Sequence, residues 1–119
     1  MKTSELIGSA LDWAVVYVRC LEATNGKPVL ARDMANRAYK NGICEYSTDW
    51  AQGGPIIERE KITIAYLKIN EVIQWEARYF DDKGRFRSME YGTTPLIAAM
   101  RCFCASKLGD EIEIPEELK

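Results

Sequence analysis

The chain of 119 residues contains no histidine. Imidazole-based serine and cysteine triads, histidine acid catalysis and most catalytic zinc sites need a side chain that this sequence does not supply. Excess positive charge is missing too: 16 Lys and Arg stand against 18 Asp and Glu, for a net charge of −2. A general electrostatic grip on nucleic acid depends on a strongly basic face that releases counterions, so composition argues against that role. The four cysteines, Cys20, Cys44, Cys102 and Cys104, form no CxxC pair and no evenly spaced framework. Cys102 and Cys104 are two apart in a helical stretch and point about 200° from each other, which rules out a local disulfide. All four read as reduced, small apolar residues, and no metal site or cofactor is expected. Long hydrophobic runs are scarce as well. Glu5 and Asp12 interrupt the first segment, and the uncharged run Trp13 to Val18 is too short to span a bilayer or to serve as an export signal. No membrane partner and a cytoplasmic location are expected.

What is present suffices for one α+β domain over residues 1–119: hydrophobic residues make up 47% and charged ones 29%, and folding at this length hides roughly two-thirds of the chain's surface. Apolar residues from Thr3 to about Glu22 fill one broad helical stripe, with Thr3 or Ser4 as the cap. Asn25-Gly26-Lys27-Pro28 signals a turn, and a short helix over 30–40 is expected to end at Asn41-Gly42. Lys27, Arg32, Arg37 and Lys40 there read as a solvated face. Asp49, with Gln52 three residues on, matches a reciprocal cap for a helix over 49–60, with a disturbed turn near Gly54. From Ile62 the period changes to that of strands. Turns at Asn70-Glu71 and at Asp81 to Gly84 divide a three-stranded antiparallel meander, with Ile73, Trp75, Ala77 and Tyr79 on one face and Gln74, Glu76 and Arg78 toward water. Thr94 caps a last helix with Pro95 first, Arg101 and Lys107 its only charges to Leu108, and Gly109 at its end. So apolar a helix must be covered, by the sheet on one side and by another helix or a second subunit on the other, which makes a homodimer an expectation. The acidic tail 110–119 is expected to be loose beyond Pro115.

Two helix starts carry hydroxyls beside free amides: Ser47-Thr48 before the middle helix and Thr93-Thr94 before the last. Such ends hold phosphate or carboxylate groups, and they equally serve as simple self-caps. Gly53-Gly54 lets a ligand, or a packed neighbour, approach the backbone, while Tyr46 and Trp50 can stack on a ring or join the core. Glu58 and Glu60 read as solvated charge. Arg101, alone in an apolar helix, requires a partner, either an internal carboxylate or a bound anion. The candidate ligand-binding residues are therefore Tyr46, Ser47, Thr48, Trp50, Gln52, Gly53, Gly54, Thr93, Thr94 and Arg101, with no catalytic residue among them.

The blocks Tyr46-Ser47-Thr48-Asp49-Trp50-Ala51-Gln52-Gly53-Gly54-Pro55-Ile56-Ile57-Glu58-Arg59-Glu60 and Thr94-Pro95-Leu96-Ile97-Ala98-Ala99-Met100-Arg101-Cys102, with Met1 to Leu6 and Leu11 to Val15, resemble the NinX family of lambdoid phages and enterobacterial prophages. More loosely, the order of these blocks is similar to the phage ABA sandwich domain, which implies helices flanking an antiparallel sheet. The NinX resemblance implies a phage accessory context near recombination and late-control genes and carries over no catalytic residue. The sequence departs from the commoner family pattern at Gly92-Thr93-Thr94, where Gly-Pro-Thr is more usual, and in the longer meander of 61–91. The expected function is non-catalytic binding of a small anionic, nucleotide-like ligand in the host cytoplasm. The alternative is a protein-interaction factor that modulates a host or phage recombination or defence protein.

Overall fold

The computed structural model describes residues 1–119, in the order α1 (Gly8–Ala23), α2 (Pro28–Asn41), α3 (Trp50–Glu60), β1 (Thr63–Ile69), β2 (Val72–Phe80), β3 (Phe86–Gly92) and α4 (Pro95–Leu108), with short 3-10 turns at Thr3–Glu5 and Glu116–Leu118. The fold is the expected α+β meander with its helices. α4 lies at the centre: it packs on the sheet on one side and on α1 and α3 on the other, and α2 packs on the far side of α1. The second layer over α4 is thus supplied by the chain itself, which removes the reason for expecting a second subunit there.

α1 begins at Gly8, not at Thr3, and neither Thr3 nor Ser4 caps it. Thr3 is drawn elsewhere: its N–H donates to the Asp110 carbonyl at 2.9 Å and its hydroxyl to the Gly109 carbonyl at 3.0 Å. Gly8, at φ 58°, then turns the chain into the helix. α1 is buried on most sides, with Leu11, Trp13, Ala14, Val15 and Val18 in the core. α2 meets it through Ala31 and Ala35, small enough to let the backbones approach. Arg32, expected in solvent, lies over the Trp13 and Tyr17 rings, with its guanidinium carbon 5.1 and 5.2 Å from their centroids.

α3 runs unbroken through Gly53-Gly54-Pro55, so the disturbed turn expected near Gly54 is absent. Asp49 caps it by accepting from the Ala51 amide at 2.9 Å, as expected. The reciprocal half of the cap is diverted. Gln52 Oε1 accepts from the Glu45 amide at 2.8 Å, because the Asp49 amide already donates to the Glu45 carbonyl at 2.8 Å. Lys61, left-handed at φ 54°, ends the helix.

Both hairpin turns fall where the sequence places them. Asn70 and Glu71 have φ 50° and 67°, the two left-handed positions of a type I′ turn, closed by the pair Ile69↔Val72. Asp81 organises the second, accepting from the Lys83 and Arg85 amides, each at 2.9 Å. Ala77 and Ser88 face α4, where the Ser88 hydroxyl donates to the Cys102 carbonyl at 3.1 Å. Glu76, expected in water, is only 8% exposed. It is flanked across the strands by Ala65 and Tyr91 and takes the Arg78 guanidinium on its carboxylate.

The tail is tied down as far as Ile114, and beyond Pro115, where looseness is expected, it forms the turn Glu116–Leu118 with Leu118 partly buried against the core. Lys2 and Glu111 form an antiparallel bridge, the Ile112 amide donates to the Met1 carbonyl at 2.9 Å, and Ile112 and Ile114 are buried in the main cluster. All four cysteines are free, and burial pushes the Cys102 thiol up to about 11. Glu60 is paired where sequence reading has it solvated. Lys107 Nζ and Arg59 Nε lie 3.0 Å from its two oxygens.

Gly92 fixes the distance from sheet to α4: a Cβ there would lie 2.5 Å from the Ala98 amide nitrogen. Gly92→Ala is expected to lower stability by about 1–3 kcal/mol, measured by urea denaturation. Burial raises the Glu60 carboxyl, but Lys107 and Arg59 outweigh it and hold it below its ordinary value. A lowered folded-state pKa gives stability that is present above the unfolded value and lost as pH falls through the folded one. Glu60→Gln should therefore cost about 1 kcal/mol at neutral pH and flatten the acid limb of melting temperature against pH.

Candidate functional site

The turn before α3 and the turn before α4 come together. Ser47, Thr48 and Trp50 from one, with Thr94, Pro95, Leu96 and Ile97 from the other, line a hollow of about 210 Å3. Gly53 makes the approach possible. A Cβ on it would lie 2.5 Å from the Tyr46 carbonyl oxygen and 2.6 Å from Leu96 Cδ2, so any side chain would drive α3 and α4 apart.

The helix starts are partly self-satisfied. The Thr94 hydroxyl accepts from the Ile97 amide at 3.1 Å, and the Asp49 carbonyl accepts from the Gln52 and Gly53 amides at 3.0 and 2.9 Å. The first available amides of the two helices, those of Trp50 and Leu96, take no protein acceptor. They are the donors a helix start offers to an anion. Trp50 is 54% exposed and forms part of the wall.

Ser47 is only 2% exposed and donates its amide to Asp12 Oδ1 at 2.8 Å. Its hydroxyl completes no hydrogen bond, although it lies close enough to the Asp12 carboxylate to favour the charged form. Asp12 is 7% exposed. Burial raises its pKa, the Ser47 amide and hydroxyl pull it back, Glu45 adds to the rise, and the balance stays above the ordinary value. No Lys or Arg lines the hollow. Affinity for an anion would rest on N–H and O–H donors, against the charge of Asp12 and Asp49.

Of the ten candidates, Ser47, Thr48, Trp50 and Thr94 line the hollow. Tyr46 stands outside it, its hydroxyl accepting from Arg19 at 3.1 Å with the guanidinium carbon 5.8 Å from the ring centroid. Gln52 is occupied by Glu45, Gly53 faces protein, and Gly54 lies 3.8 Å, measured from its Cβ position, from the Trp50 ring. Thr93 is exposed and absent from the walls. Arg101 makes no direct ion pair: its Nε donates to the Leu6 carbonyl at 2.7 Å and its terminal nitrogen to the Tyr91 carbonyl at 2.8 Å, while an internal carboxylate, Glu90, acts on it only as a nearby charge. Sequence reading missed Asp12, Leu96 and Ile97. A lone carboxylate between Leu11 and Trp13, on the helix stripe that turns out most buried, was the available signal.

These features define an α+β domain whose two helix starts share one hollow. The family model described as Bacteriophage P22, NinX matches residues 2–107, and the chain belongs to that family. The match contains every residue lining the hollow. No curated protein matches the chain in sequence.

Asp12→Asn keeps the acceptor for the Ser47 amide and removes a buried charge. Because the folded-state pKa of Asp12 is raised, its ionisation costs stability as pH rises through the carboxylate range. Asp12→Asn is expected to melt at or above the parent temperature at neutral pH. Asp12→Ala, which orphans the buried amide, should lose about 1–3 kcal/mol. Thermal denaturation of the two variants side by side checks both outcomes.

Proposed function

We propose that this NinX-family protein is a non-catalytic accessory factor that binds the anionic end of a small, nucleotide-like ligand in the hollow between α3 and α4, in the cytoplasm of the infected host. The observation that carries this reading is the hollow itself, shared by two helix starts whose first free amides, those of Trp50 and Leu96, take no protein acceptor. Unpaired N–H groups converging on one hollow suit an anionic group that arrives from outside. The volume of about 210 Å3 accommodates one phosphate or carboxylate-sized group, not a whole nucleotide. The rest of the ligand would lie over Trp50 at the rim, where a ring can stack. No helix of the chain is long and apolar enough to cross a membrane, which is compatible with that setting.

The alternative, a protein-interaction factor, is favoured by one different observation: Val29 and Leu30 stand exposed at the start of α2, beside a shallow hollow of about 780 Å3.

Trp50 fluorescence and melting temperature, followed against nucleoside monophosphates, triphosphates and cyclic dinucleotides at millimolar concentration, test the binding reading. A ligand at 100 times its Kd adds about 2.7 kcal/mol of stability. Quenching with a raised melting temperature is expected for at least one of them, and Trp50→Phe should remove the quenching, which assigns it to Trp50 and not to Trp13 or Trp75. Silence across the whole panel overturns the reading.

A further inference from the structure

We infer that β1 is the contact edge of a symmetric homodimer in which two sheets join, strand to strand, into one of six strands. This does not depend on the ligand hollow. A three-stranded sheet has two free edges, and the chain treats them differently. At β3, the register shifts between Tyr79 and Phe80, and the Arg101 guanidinium occupies the Tyr91 carbonyl at 2.8 Å. Bulges and cationic covers of this kind prevent further pairing.

β1 has no bulge, and the charge of its one lysine, Lys68, is met by Glu71 at 3.7 Å. Seven residues, Thr63–Ile69, run without bulge or proline. The turn closes on Ile69↔Val72, the pair that exchanges both hydrogen bonds in a two-residue hairpin. Alternation then directs the N–H and C=O groups of Ile64, Tyr66 and Lys68 away from β2. The same alternation carried across β2 turns the Tyr91 carbonyl outward on β3, which is where Arg101 meets it. Tyr66 and Ile69 are 51% and 58% exposed along the β1 edge.

The occupant that fits is a second copy of this chain. A two-fold axis through Tyr66 sets Tyr66 against Tyr66 and Ile64 against Lys68 of the other copy, so no like charges face each other. It also brings Lys61 of each copy alongside Glu71 of the other. Lys61 is exposed, and the Glu71 side chain is 90% exposed, held only by Lys68 at 3.7 Å. The strand thus starts beside a cation and ends beside an anion, which is self-complementary in the antiparallel sense and repulsive in the parallel one.

Sedimentation velocity from about 10 to about 500 μM should show a monomer–dimer equilibrium, as expected for a small interface. Glu71→Lys should weaken the dimer about 10-fold, since two symmetric pairs become repulsive, and Lys61→Glu alone should do the same. The double variant Lys61→Glu with Glu71→Lys should restore it, while circular dichroism reports an unchanged fold in all three. A monomer at every concentration overturns the inference. So does a dimer that ignores the single reversals, or one that the double reversal fails to rescue.

Discussion

The architecture depends on how closely α4 can be approached from two sides, and a hydrogen atom in place of a side chain sets that distance each time. At Gly92 the sheet turns into α4 with no room for a methyl group beside the Ala98 amide. At Gly53 the first turn of α3 slides between the Tyr46 carbonyl and Leu96. Close-packed interiors do not absorb such volume, so the two glycines act as fixed spacers. Because α3 sits this near, the turn that precedes it is held against the start of α4, and the hollow between them is a by-product of that packing.

Charged side chains then tie the surrounding elements to the same helix. Arg101 is half-buried, and burial pulls its pKa down while Glu90 pulls it up. It meets its donor needs with carbonyls from the N-terminal segment and from β3, so one guanidinium joins three parts of the chain. Near the other end of α4, Lys107 reaches Glu60 and lies 5.2 Å from the Tyr79 ring centroid, tying α3 to β2. Asp12 is the exception, a carboxylate whose surroundings do not favour its charge. Natural chains tolerate such a cost most readily where a site requires it.

Local signals in the sequence had local causes, and these were legible. The Asn70-Glu71 turn, Pro95 after Thr94, and the Asn25-Gly26 turn before α2 each follow from backbone preferences of a few residues. That two helix starts carry hydroxyls was legible; that they meet depends on how closely α3 packs on α4. Features set by distant residues were not. Thr3 looks like a cap until the carbonyls of residues 109 and 110 claim it. Arg101 calls for an anion until the chain offers two carbonyls. Gly53 suits a ligand or a neighbour equally well in one dimension, and only Leu96 decides between them.

The bridge between Lys2 and Glu111 bears on how the molecule is made. Residues 1–3 find their hydrogen-bond partners more than a hundred positions downstream, at 109–112. α1, the most deeply covered helix, likewise waits for α4. During synthesis the ribosome releases the earliest residues first, yet these partners emerge about a hundred residues later. The growing polypeptide can cover one side of α1 with α2 early, but it carries the side that meets α4 exposed until residues 95–108 have been made, so that part of the core closes late.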